Sequence, residues 1–268
     1  MQERHLNKAL YFGEQEYTTN KHVIPYISEF VEIGEGFHVL EIGCGEGGNL
    51  KPFLDAGCHA TGVDLSESKI EEGRKLFAGH PQAERLTLIC DDIYNLRKPD
   101  RLFDFIFLRD VIEHIHNQER FMQFVKELLA PWGTIFFAFP PWQNPFGGHQ
   151  QVCKNRILSH LPWTHLLPRR LYARLLKLGG ENPQVVEGLL EVKQTGISIE
   201  RFERIVRNEE YHILKKTYFA INPNYEIKFG LKPRRLPRFF SSIPRLRNFM
   251  ATAACYLISP NEKQDVEI

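Results

Sequence analysis

Between residues 37 and 140 the chain alternates two hydrophobic patterns. Short runs of consecutive apolar residues give way to stretches where apolar residues recur every three or four positions. The runs at 38–43 (HVLEIG), 59–65 (HATGVDL), 85–92 (RLTLICDD), 103–110 (FDFIFLRD) and 133–140 (GTIFFAFP) predict five strands. Residues 48–57 predict a helix closed by Gly57, and 66–80 a helix opened by Ser66 as N-cap. In 118–130 the spacing places Phe121, Phe124, Val125 and Leu128 on one helical face. Strands apolar on successive residues are expected where helices cover both faces of a sheet. Alternation of strand and helix implies an α/β fold, a doubly wound and mostly parallel sheet with right-handed crossovers.

The character changes after Pro140 and Pro141. A Pro- and Gly-rich loop (PPWQNPFGGHQQ) leads into broken helices that stop at Gly179–Gly180, so 141–196 is expected to form a helical insertion over the core. Residues 197–232 are expected to complete the sheet. A helix at 197–210 precedes a closing antiparallel pair, 211–223 with 224–233, around the Asn222–Pro223 turn. From 233 to 268 the pattern predicts a basic amphipathic helical tail interrupted near Pro244.

Composition narrows the class without choosing the chemistry. The 268 residues are 43% hydrophobic and 25% charged with net charge +1, so any affinity for nucleic acid or membrane must be local. Five cysteines, odd in number and without a C-x-x-C pair, point to reduced thiols and a cytoplasmic setting. No run of eighteen apolar residues occurs, and the N-terminus carries charge from its first residues.

The candidate chemistry centres on VLEIGCGEGGNL, residues 39–50. Gly43, Gly45 and Gly48 match the G-x-G-x-x-G dinucleotide pattern, but the surroundings are acidic: Glu41 precedes the loop and Glu46 sits within it. In an open parallel sheet ligands bind at the carboxyl ends of the strands. The first four strands end near Glu41, Asp64, Asp91–Asp92 and Asp110. Such a fringe repels pyrophosphate and suits a cationic nucleoside. Asp64 is placed to accept from ribose hydroxyls, and Asp92 with Ile93 to meet an adenine amino group and cover its ring. S-adenosylmethionine has that combination of sulfonium, ammonium and ribose without phosphate.

VLEIGCGEG, GVDLS, CDDI, FDFIFLRDVIEHI and LLAPWGTIFFAFP, in this order and spacing, resemble the class I S-adenosylmethionine-dependent methyltransferases over roughly residues 30–140. The resemblance implies a Rossmann-like, seven-stranded sheet whose last strand is antiparallel. It also implies cofactor contacts at Glu41, Gly43, Cys44, Gly45, Asp64, Leu65, Asp92, Ile93 and Arg109, with Cys44 a small packing residue rather than a nucleophile.

Methyl transfer from a sulfonium is an in-line displacement of an already activated group, so alignment and water exclusion dominate. For an oxygen or amine acceptor a nearby base helps, and His114 and His149 fall on the active edge, with Glu113 beside the first. Asp110, Glu113 and His114 have spacing i, i+3, i+4 and would share a face if helical. That segment resembles the metal-binding E-x-x-E-H of ubiquinone-type O-methyltransferases. The pocket-wall or general-base role is preferred here, with no metal assigned.

The second half decides the acceptor. Residues 163–178 and 228–258 combine arginines and lysines with large apolar residues and contain no acid. Such stretches can pack on their own core, rest on an anionic membrane or track a polymer. A small apolar or lipid-linked acceptor methylated at oxygen is expected, with possible peripheral membrane contact and no nucleic acid. An RNA or protein methyltransferase is the alternative, and a nicotinamide-dependent oxidoreductase is disfavoured by Glu41 and Glu46.

Overall fold

The computed structural model describes residues 7–261. Eight strands, β1 (His38–Ile42), β2 (His59–Asp64), β3 (Leu86–Cys90), β4 (Phe103–Arg109), β5 (Leu129–Phe139), β6 (His212–Ile221), β7 (Arg234–Arg235) and β8 (Ala253–Ser259), form one sheet. Its order is β3-β2-β1-β4-β5-β8-β6-β7. The first five strands run parallel, and β8 is antiparallel to both β5 and β6. The two-residue β7 is an edge bridge on β6, which leaves seven strands as the working sheet.

Consecutive apolar residues divide between two cores because successive side chains leave a strand on opposite faces. Leu40, Ile42, Ile106 and Leu108 face one helical layer, while Val39, Phe105 and Phe107 face the other. The second layer holds α1 (Lys8–Thr18), α2 (Ile24–Ile27), α3 (Lys51–Asp55) and α4 (Glu67–Phe77). A single π turn, Thr19–Val23, joins α1 to α2. The first layer includes α5 (Gln118–Leu128), whose Phe121, Met122, Val125 and Leu128 are buried. Phe124 packs against that core only in part.

After β5 the insertion contributes α6 (Arg156–His160), α7 (Arg169–Leu178) and α8 (Pro183–Thr195), around a small core of its own. The sequence pattern did not single out α8, which opens on Asn182 as N-cap with Pro183 in its first turn. α9 (Ile199–Asn208) then returns to the main core through Phe202, Ile205 and Val206.

Two expectations for the C-terminal half are corrected. The segment expected to pair with β6 is instead a helix, α10 (Asn224–Phe229). Asn222 Oδ1 accepts from Asn224 N–H at 3.0 Å, and Gly230, at φ 67°, closes the helix in the left-handed region. The helical tail is also only partly helical. α11 (Arg238–Ser242) and α12 (Leu246–Met250) are short, and 253–259 is β8. All seven residues of β8 are buried, and a short apolar run buried on both faces has no periodicity to separate strand from helix. β8, not the 211–233 pair, supplies the antiparallel strand. The extreme ends of the expected N-terminal core and tail, 1–6 and 262–268, lie outside the described residues. None of the five cysteines forms a disulfide. Among the described residues no helix is long and apolar enough to cross a membrane.

Candidate active site

Strand order reverses between β1 and β4, because β1 has β2 on one side and β4 on the other. The loops that follow these two strands bound the crevice where such sheets hold ligands. The β1 loop turns through three glycines of positive φ: Gly43 (73°), Gly45 (57°) and Gly47 (84°). A Cβ on Gly43 would lie 2.5 Å from Val111 Cγ2, and one on Gly48 would lie 2.4 Å from the carbonyl oxygen of Phe12. The first glycine therefore lets the β4 loop close in, and the second lets α1 lie across the crevice. Cys44 is fully buried against Gly62 of β2 and packs rather than reacts.

Asp64 ties the loop to β2. Its Oδ2 accepts from Gly45 N–H at 2.8 Å and its Oδ1 from Ser66 N–H at 2.9 Å. Each carboxylate oxygen keeps a further lone pair for a ligand hydroxyl. Ser66 stands at the N-cap of α4 without a side-chain capping bond. Leu65 is exposed, Ile93 is buried, and Asp92 caps a short turn through Tyr94 N–H at 3.0 Å. Asp91 accepts from Asp92 N–H and from Asn95, so it shapes this turn locally.

Glu41 is 1% exposed. Asn49 Nδ2 donates to its Oε1 at 2.6 Å, while Oε2 has no hydrogen-bond partner among the described residues. Burial raises the Glu41 carboxyl to about 8, against the opposing pull of the Asn49 bond and Arg109. Oε2 of buried Glu46 is likewise without a partner. Two unsatisfied buried acceptors at the rim of a glycine cradle are costly unless a donor arrives. They suit a ligand carrying ammonium and sulfonium groups.

Arg109 anchors the site through its side chain. Its guanidinium donates to Asn49 Oδ1 at 2.9 Å and also to Asn224 Oδ1, and Thr19 Oγ1 donates to the same Asn49 oxygen at 2.8 Å. The chain Thr19–Asn49–Arg109–Asn224 ties the N-terminal helices, the glycine loop, β4 and α10 together beside Glu41. Sequence reasoning missed Asn49, Thr19 and Asn224. Only Asn49, directly after the glycine run, carried a positional hint. Tyr11 of α1 lies among Arg109, Asp110, Glu46 and Glu41, and burial raises its phenol to about 12.

The β4 loop does not continue as an α-helix. Asp110 takes φ 57°, and Ile112–His114 form one 3-10 turn. Asp110, Glu113 and His114 therefore do not form the expected i, i+3, i+4 face. Instead the structure brings Glu113 and His114 to His149, which enters from the loop after β5 at φ 58°. His149 Nε2 lies 3.8 Å from Glu113 Oε1, and the His114 and His149 rings meet edge to face at 4.9 Å. Glu113 is 1% exposed, and neither carboxylate oxygen accepts a hydrogen bond from the described residues. Burial, then Asp110, raises its carboxyl well above the usual range. Desolvation lowers both imidazoles, helped at His114 by its histidine neighbour. One ligand atom from each of the three side chains falls within 4.8 Å of the others. Two neutral imidazoles can take up a proton, and with the carboxyl ionised the three groups can hold a divalent cation.

Behind Arg109 and Asp110 lies a cavity of ≈ 40 Å³ lined by Val23, Tyr26, Phe136, Phe139 and Cys255. It admits a methyl-sized group or a water but nothing as large as a ring.

The fold and this edge together define an α/β domain that holds a nucleoside without phosphate. Residues 12–178 match the family described as a methyltransferase domain, and the chain belongs to it. Its fold is that of the class I S-adenosylmethionine-dependent methyltransferases, for which S-adenosylmethionine is the cofactor. The chain is 32% identical over 117 residues to ubiquinone biosynthesis O-methyltransferase of Coxiella burnetii strain RSA 493 / Nine Mile phase I. That match covers 43% of this chain and 48% of that protein. It is 30% identical over 110 residues to sterol 4-C-methyltransferase strm-1 of Caenorhabditis elegans, covering 41% and 33%. The chain thus spans half or less of the curated relatives it matches here. Among solved structures, glycopeptide N-methyltransferase MtfA with sinefungin superposes with TM-score 0.52 at 15% identity, covering 90% of this chain and 86% of that one. Magnesium protoporphyrin IX methyltransferase from Synechocystis PCC 6803 with bound SAH gives 0.51 at 16% identity, covering 91% and 83%. These two likenesses concern the fold.

Proposed function

We propose that the protein transfers the methyl group of S-adenosylmethionine to an oxygen of a small apolar or lipid-linked acceptor. The observation that carries this reading is the meeting of His149, His114 and Glu113 beside the carboxylate-fringed glycine loop. An acceptor hydroxyl needs to lose its proton as the C–O bond forms, and imidazoles held neutral by burial are ready to take it. The match to a ubiquinone biosynthesis O-methyltransferase supports oxygen, whereas the match to a sterol 4-C-methyltransferase keeps carbon as the competing acceptor atom.

Glu41, with Gly43, Cys44 and Gly45, holds the methionine end of the cofactor. Asp64 receives the ribose hydroxyls, and Leu65, Asp92 and Ile93 border the adenine. Arg109 fixes the loop through Asn49. In the reaction the acceptor oxygen attacks the methyl carbon, the carbon–sulfur bond breaks toward the neutral thioether, and the acceptor proton passes to His149 or His114. A positive charge on His149 favours ionisation of Glu113 beside it, and the carboxylate so formed stabilises the imidazolium. The insertion excludes water and supplies the apolar wall.

The same three side chains fit a divalent cation, because Glu113 offers two unpartnered buried oxygens next to two neutral imidazoles. Such an ion would orient the acceptor oxygen and lower its pKa. The deciding experiment is a tritium-transfer assay with labelled S-adenosylmethionine and a panel of hydroxylated apolar acceptors, run with and without chelator. Transfer that survives chelation and is lost in His149→Ala supports the base. Loss on chelation with recovery on adding Mg²⁺ or Zn²⁺ supports the ion. Tight cofactor binding with no hydroxylated acceptor methylated defeats the oxygen assignment.

A further inference from the structure

We propose that the outer face of the insertion docks on an anionic lipid bilayer. α7 turns Tyr172 and Leu176 inward onto Cys153, Leu158, Val186 and Leu189, and these six buried residues form a core separate from the two that flank the sheet. The opposite face of α7 carries Arg170, Leu171, Arg174 and Leu178, all exposed. Leu171 is 51% and Leu178 88% exposed, so neither stabilises the core it sits above.

The adjoining corner repeats this chemistry. Asn155 Nδ2 donates to Gly179 O at 3.0 Å, and Leu158 is so close to Gly179 that a Cβ there would meet its Cδ1 at 2.2 Å. These contacts fix α6 against the end of α7, and Ile157 on α6 is 74% exposed beside the exposed Arg156. No Asp or Glu occurs between Glu127 and Glu181. Exposed leucine and isoleucine side chains flanked by cations, with no carboxylate in α6 or α7, complement an anionic headgroup layer over acyl chains, while Glu187 and Glu191 of α8 lie to the side, across from Arg169 and Lys177. A nucleic acid would take the arginines but gain nothing from the aliphatic side chains. The docking face belongs to the segment that also carries His149, so it holds the candidate site near the bilayer. Docking does not depend on the acceptor assignment.

The test is co-sedimentation of the full chain, without cofactor or acceptor, with phosphatidylcholine vesicles containing or lacking phosphatidylglycerol. Binding is expected to the anionic vesicles and to fall with added salt. Leu171→Asp with Leu178→Asp should lower the partition coefficient by at least about tenfold, since each leucine loses its apolar burial. Arg170→Ala with Arg174→Ala should lower it by about fivefold per charge. These side chains point to water, so unchanged thermal midpoints would show that the variants fold. No binding to anionic vesicles, or equal binding by all variants, overturns the proposal. So does a self-associated species in sedimentation equilibrium that Leu178→Asp dissolves, because a second copy would then cover the face. Vesicle binding is read without methyl transfer, so its failure and a failure of the oxygen assignment are separate results.

Discussion

Glu41 is a buried carboxyl with one partner, Asn49, and one unsatisfied oxygen. Replacing it by Gln keeps the shape and the Asn49 bond but removes ionisation. The folded-state value of about 8 lies above the usual 4.5. Between those values the folded chain holds a proton that the unfolded chain has released, so wild-type stability falls as pH rises from about 4.5 to 8. A shift of that size corresponds to a ceiling of about 5 kcal/mol at 1.36 kcal/mol per unit, and water entry on ionisation reduces it. Urea unfolding of wild type and Glu41→Gln at pH 5, 6.5 and 8 isolates this group, since every other ionisable residue cancels. The expected result is a gap in favour of Gln that widens by at least about 1 kcal/mol from pH 5 to 8. A cationic ligand reverses the preference: S-adenosylmethionine should bind wild type roughly 10- to 100-fold more tightly than Glu41→Gln at pH 8, the worth of one charge-assisted hydrogen bond. Binding should also release a proton near pH 7, read by calorimetry in buffers of different ionisation enthalpy. Parallel pH profiles for the two proteins, or equal cofactor affinity at pH 8, would refute the assignment of Glu41 as a carboxylate waiting for a cation.

Other outcomes follow from the same geometry. Asn49→Ala orphans the Arg109, Thr19 and Glu41 groups it now joins; a loss of about 2–4 kcal/mol is expected by denaturant unfolding, together with weaker cofactor binding. Gly48→Ala places a Cβ 2.4 Å from the Phe12 carbonyl oxygen, so α1 should lift from the crevice, which faster amide exchange in 8–18 would reveal. His149→Ala should lower kcat by roughly 10²–10⁴-fold with the cofactor dissociation constant unchanged, in steady-state and equilibrium measurements on any acceptor that is methylated. Because burial lowers both imidazoles, kcat/KM for that acceptor, measured at S-adenosylmethionine concentrations that saturate at every pH and so keep Glu41 ionised, should stay flat from pH 8 to below the usual histidine value; a fall centred at 6.5 would count against the histidines as bases.

The alternation of apolar runs with helical periods was sufficient to place β1 to β5 and the helices between them. A doubly covered strand must be apolar on both sides, and an amphipathic helix must repeat near 3.6 residues. The same reading located the glycine loop and the acids at the strand ends, because parallel strands joined by right-handed crossovers leave those ends on one edge. Local sequence did not decide the fate of Ala253–Ser259. Strand and helix are equally compatible with a short, wholly buried apolar run, and only the open slot between β5 and β6 made it β8. The segment after Pro223 became a helix because its Asn turn and Gly230 end a strand and close a helical turn. The active-edge cluster likewise required the tertiary structure. Spacing grouped Asp110 with Glu113 and His114, but the left-handed backbone at Asp110 broke that face and the loop after β5 supplied His149, thirty-five positions beyond His114. Sequence spacing fixes neighbours only within a regular element; between elements, packing decides which side chains meet.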